Sequence, residues 1–100
     1  MNIKFEYLYR DGANYKNWGE VIFSNSGNMP VDQINARIEA RLIDRQNFVA
    51  SRLKVPDLYF EKTDPSLDHD WHEFYGCSET GEEVSDLYRR DISDVIDALG

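Results

Sequence analysis

One hundred residues with 41% hydrophobic content suffice for a single globular domain with one core, but not for a large internal pocket. The net charge of −8 argues against nucleic-acid binding, which draws its affinity from Lys and Arg on phosphates. No apolar run is longer than the three residues Val21-Ile22-Phe23, so no membrane span is expected, and the alternating start Met1-Asn2-Ile3-Lys4-Phe5-Glu6 lacks the apolar centre of a signal peptide, which points to a cytoplasmic location.

The chain opens with Ile3, Phe5, Tyr7 and Tyr9 alternating with Lys4, Glu6 and Arg10, the period-two pattern of a strand with one buried face. From Asp11 to Gly19 the turn formers Gly12, Asn14 and Asn17 predict a loop, and Glu20 to Phe23 reads as the returning strand. Ser24 to Pro30 is a connecting turn. Val31, Ile34, Ile38 and Leu42 recur at helical spacing, which predicts a helix with Asn28 as N-cap, Pro30 in its first turn and an end near Asp44. Phe48, Val49, Leu53 and Val55 fall in a less regular stretch that reads as a short turn or helical fragment.

Leu58 to Glu61 is predicted as a third strand and Trp71 to Cys77 as a fourth, paired with it across a loop marked by Pro65. The fourth has a helical alternative, since Leu67, Trp71, Phe74 and Tyr75 would also line one helix face capped by Asp64. At the end, Leu87, Tyr88, Ile92, Val95, Ile96 and Leu99 form a helical stripe, with Ser85 as N-cap, Asp86 in the first turn and Gly100 at the stop. Asp86 with Arg90, and Arg90 with Asp94, stand at the i,i+4 spacing of helical ion pairs.

The expected fold is therefore α+β in the order ββαββα, an antiparallel sheet of about four strands with two helices packed on one face. Residues 1–45 and 56–100 echo one another: Tyr7 and Trp18-Gly19-Glu20-Val21 are matched by Tyr59 and Trp71-His72-Glu73-Phe74, a pattern that fits internal duplication as well as chance in a Tyr-rich chain.

Three stretches carry chemistry. Asp68-His69-Asp70-Trp71-His72-Glu73 holds both histidines among carboxylates, residue types that bind zinc-class metals or move protons. In a strand, His69 and Glu73 share a face with Trp71 while His72 takes the other, which separates the histidines; in a helix they lie one turn apart. A small metal-dependent or acid–base enzyme built on Asp68, His69, His72 and Glu73 is the alternative to the reading favoured below. Arg37, Arg41 and Arg45 recur every four residues on the first predicted helix, a stripe suited to phosphate or an acidic surface, although a solvated helix face is the plainer account. The loop from Asp11 to Trp18 holds Tyr15 and Trp18, residues common at recognition sites, with Trp18 folding back as a lid on the core as the competing account.

Charge is uneven. Residues 1–60 carry eight Lys/Arg against seven Asp/Glu, whereas residues 61–100 carry three against twelve. The acidic second half, with Asp91 and Asp94, suits a basic partner, or meets the basic first helix of a second copy; both monomer and homodimer fit. The lone Cys77 forms no intrachain disulfide and reads as a small packing group. No Gly-rich phosphate loop, Gly-x-Ser-x-Gly elbow or paired CxxC is present, and no cofactor is implied.

The segments Phe5–Arg10, Asn14–Val21 and Leu67–Tyr75 resemble those of a group of short, uncharacterised bacterial proteins. The resemblance spans most of the first 75 residues. It implies a bacterial cytosolic protein and transfers no activity, cofactor or functional residue. The reading that follows is a non-enzymatic protein-interaction or regulatory module.

Overall fold

A computed structural model describes residues 1–59 and 71–99. The chain is α+β, in the order β1 (Asn2–Arg10), β2 (Lys16–Phe23), α1 (Val31–Glu39), β3 (Asn47–Val49), α2 (Ala50–Leu53), β4 (Trp71–Thr80) and α3 (Ile92–Leu99). The four strands form one antiparallel sheet in the order β2-β1-β4-β3.

The alternation read in β1 is what the sheet uses. Ile3, Phe5 and Tyr7 join Val21, Phe23 and Phe74 in one hydrophobic cluster with Ile34 and Ile38 of α1 and Ile92, Val95 and Ile96 of α3. Phe5 sits at its centre, with the rings of Tyr7, Phe23, Phe48 and Phe74 all within 6.0 Å of it, centroid to centroid. Cys77 packs into the same cluster, and burial, with Glu6 adding to it, pushes its thiol up to about 12.

Four expectations need correction. The hairpin connection is short: Lys16 to Gly19 belong to β2, paired with Arg10 to Tyr7. Asn17 and Gly19 look like turn formers but act in the strand. The Asn17 amide donates to the Leu58 carbonyl at 3.0 Å, and a Cβ on Gly19 would lie 2.8 Å from Leu58 Cδ2. The reversal itself is made by Asp11, whose Oδ1 accepts from the amides of Ala13 and Tyr15, and by Asn14 at φ 70°.

The third strand lies at residues 47–49, not at Leu58–Glu61. Leu58 and Tyr59 are irregular, and residues 60 and 61 lie outside the described residues. Segment 56–58 meets the sheet through side chains instead: Tyr7 Oη donates to the Pro56 carbonyl at 2.6 Å, Asn17 to Leu58, and the Leu58 amide donates to His72 Nε2 at 2.9 Å. With those groups engaged, no strand ladder is needed.

The first helix stops at Glu39, and Asn28, at φ 49°, lies before its N-cap position, Pro30. Leu42 is buried as the spacing predicts, but Asp44 and Arg45 adopt left-handed backbone and turn the chain into β3. Burial of Phe48 beside Phe5 and Tyr7 outweighs continuing the helix.

The last helix begins at Ile92 rather than after Ser85, because Ser85 Oγ accepts from the Ile22 amide and Asp91 supplies the cap. Its Oδ2 accepts from the amide and hydroxyl of Ser93, and Asp94 reaches back to the Asp91 amide at 3.0 Å. Leu87 and Tyr88 consequently stand outside the helix, 88% and 60% exposed.

The strand reading of Trp71 to Cys77 agrees with β4, with a bulge. Glu6 opposes Gly76 and Tyr7 opposes Phe74, leaving Tyr75 as the extra residue. The inward set is thus His72, Phe74 and Cys77, a broken period two that also produced the helical alternative.

Candidate functional site

Antiparallel pairs alternate between those that exchange main-chain hydrogen bonds and those whose N–H and C=O point away from the partner. Ile22 points away from β1, because its amide and carbonyl meet Ser85 and Asp86. Ser24 does the same with Arg90 and Ile92. By the same parity the amides and carbonyls of Glu20 and Trp18 also point out of the sheet. No main-chain partner meets these two among the described residues. Among the described residues the edge of β2 is therefore closed at its C-terminal half and open at its N-terminal half.

The closed half is held by two polar hubs. Asp91 Oδ1 accepts from Ser24 Oγ at 2.9 Å and from the Ser26 amide at 2.7 Å. Burial pushes the Asp91 carboxyl up, but the hydrogen bonds from Ser26, Ser93 and Ser24 outweigh it and hold it at about 2. Arg90 donates to both carboxylate oxygens of Asp86 and to the carbonyls of Leu53 and Lys54, and its guanidinium lies over the rings of Phe23 and Tyr88. Burial raises the Asp86 carboxyl, yet the Arg90 contacts win and lower it. The predicted Asp86–Arg90 pair is thus real, but it clamps a turn rather than a helix.

The open half is flanked by exposed apolar groups. On the side away from the core, Trp18 is 51% exposed and packs edge-on against Tyr75, ring centroids 5.2 Å apart. Leu8, register partner of Trp18, is buried on that side. On the other side a cleft of about 620 Å³ runs between residues 54–56 and 85–88, with Glu20 and Val21 at its edge. Tyr15 stands at the hairpin end of the strand, 69% exposed.

The sequence candidates separate accordingly. Tyr15 and Trp18 lie together on this edge, Trp18 within a strand and on the outer face rather than over the core. Arg37 is on α1, but Arg41 and Arg45 follow its end, so the three make no helical stripe. Arg41 Nη1 donates to the Ile96 carbonyl at 2.8 Å, neutralising the C-terminal end of α3. Asp91 and Asp94 are capping groups.

His72 is fully buried among the rings of Tyr7, Tyr9, Phe48 and Tyr59. Its Nε2 accepts a hydrogen bond, which places the ring proton on Nδ1 when the imidazole is neutral. Glu73 faces the other way and takes hydrogen bonds from Arg10 at 3.1 Å and Gln46 at 2.6 Å. The two residues do not converge, and among the described residues no group of three or more His, Cys, Asp and Glu is placed to hold a metal. Asp68 and His69 lie outside the described residues.

Leu87, Tyr88 and Tyr75 read from the sequence as packing residues of helical faces, not as site residues. Leu87 and Tyr88 continue the apolar spacing of α3, and nothing before the Asp91 cap reveals that they leave it. No protein-family model, curated protein or solved structure matches the chain. No helix among the described residues is long and apolar enough to cross a membrane.

Proposed function

We propose that the chain is a non-enzymatic protein-interaction module whose contact surface is the open half of the β2 edge with the cleft beside it. The observation that carries the reading is the outward set of main-chain groups on Trp18 and Glu20, standing without main-chain partners among the described residues and next to exposed aromatic rings. An extended partner segment added there makes main-chain hydrogen bonds to the edge. Its alternate side chains meet Trp18 on one side and the cleft on the other. Residues 85–92 already dock on the next part of the same edge, so its geometry accepts an added segment. The net charge of −8 suits a partner with basic residues. The acidic second half contributes less to docking than its count suggests: Glu82 pairs with Lys4, Asp86 with Arg90, and Asp91 and Asp94 cap α3.

Site-specific photo-cross-linking tests this reading. A benzophenone side chain at position 18 is compared with one at Asp32, an exposed position on α1, in lysate of the source organism. A discrete adduct from position 18, absent from position 32, is expected. Equal labelling from both positions, or none from position 18, overturns the proposal.

A further inference from the structure

We infer that the first occupant of this edge is a second copy of the same chain, joined antiparallel through β2 about a two-fold axis at Trp18. The inference rests on the interaction-module reading and names its partner. Lys16, Trp18 and Glu20 share the outward parity, and Lys16 and Glu20 are equidistant from Trp18. Antiparallel pairing centred on Trp18 therefore sets Trp18 against Trp18, Lys16 against Glu20 and Glu20 against Lys16, all able to exchange main-chain hydrogen bonds. Directly opposed side chains lie close enough for ion pairs, so each charged end meets its complement twice. Glu20 is half-exposed and shares Lys4 with Glu82, which leaves it free to take a second cation.

The aromatic groups fit the same register. Trp18 of each copy meets the other on the outer face, next to Tyr75. One step further, Tyr15 of the second copy comes opposite Val21. Tyr15 stands just before β2, its carbonyl accepting from the Asp11 amide, at the parity of Asn17, Gly19 and Val21, the side of the cleft. That cleft is walled by Val55, Pro56, Leu87 and Tyr88 beside Val21, with room for a phenol ring. One surface thus supplies a projecting ring and a hollow, as a two-fold contact requires. The pairing also covers a stretch of the β2 edge that stands open among the described residues, where an unpaired edge invites aggregation.

Sedimentation velocity on the full chain tests this directly. Wild type is expected at twice the chain mass at micromolar concentration. Lys16→Glu and Glu20→Lys, each folded by circular dichroism, are expected to be monomers. An equimolar mixture of the two is expected to dimerise, because each mixed contact then opposes unlike charges. Tyr15→Ala, which truncates an exposed ring and spares the fold, is expected to raise the dissociation constant at least tenfold. A monomeric wild type, a dimer unaffected by Lys16→Glu, or a mixture that stays monomeric overturns the inference. A monomeric wild type that still cross-links a different protein from position 18 overturns the dimer and leaves the interaction module standing.

Discussion

The two halves of β2 start from the same kind of edge and end differently. At Ile22 and Ser24 the chain returns on itself, and Ser85, Asp86, Arg90 and Ile92 take up the outward main-chain groups. At Trp18 and Glu20 the described residues supply no such return, and the exposed side chains there are the Trp18 ring and the Glu20 carboxylate. The contrast separates two uses of one strand. Where the fold needs closure it spends carboxylates and a guanidinium inside itself. Where the described residues leave the edge open, the strand carries the Trp18 ring between the charges of Lys16 and Glu20.

Breaking the closed half should have the largest effect. Arg90→Ala removes the bonds to Asp86, Leu53 and Lys54 and leaves a buried carboxylate unpaired, so a loss of about 3 kcal/mol of stability is expected in urea unfolding. A loss below about 1 kcal/mol would show that the clamp is incidental. Asp91→Asn weakens the cap and the Ser24 and Ser26 bonds, with about 1–2 kcal/mol expected at neutral pH. The pH dependence follows from the depressed carboxyl. Its contribution is present above the unfolded value of 3.8 and is lost as pH falls through about 2. Asp91→Asn should therefore unfold with a shallower acid limb than wild type over that window, and superimposable limbs would contradict the hub.

Tyr7→Phe removes the bond to Pro56, and about 1 kcal/mol is expected. Burial, with Asp57 adding to it, pushes the Tyr7 phenol from 10.0 up to about 12, so its protonated form is favoured by folding. That stability is present below the unfolded value and is lost as pH rises through about 12. Alkaline melting of Tyr7→Phe should be correspondingly less steep. The smallest stability change is expected at the open half: Lys16→Glu should shift unfolding by less than about 0.5 kcal/mol while self-association collapses. A large stability loss there would mean that the edge serves the monomer.

Much of the fold was legible because it rests on local periodicity. Period two in Ile3, Phe5, Tyr7 and Tyr9 identified β1, and the spacing of Ile34 and Ile38 identified α1. What escaped notice depends on contacts distant in sequence. Gly19 sits in a strand because Leu58 approaches it, and Tyr75 is squeezed outward because Phe74 and Cys77 both need the core. Leu58 and Tyr59 have strand composition, but residues 56–58 spend their polar groups on Tyr7, Asn17 and His72. At the site, Tyr15 and Trp18 were visible as aromatics near a turn. The cleft beside them was not, since its walls come from residues 54–56 and 85–88, which no local pattern joins.

The strand order has a consequence for how the protein is made. β1 is synthesised first and pairs on one side with its hairpin neighbour β2, but its other partner is β4, with Asn2 against Thr80. The second side of β1 therefore stays unsatisfied until residues 71–80 have been made, and the slow step of folding should be this long-range closure.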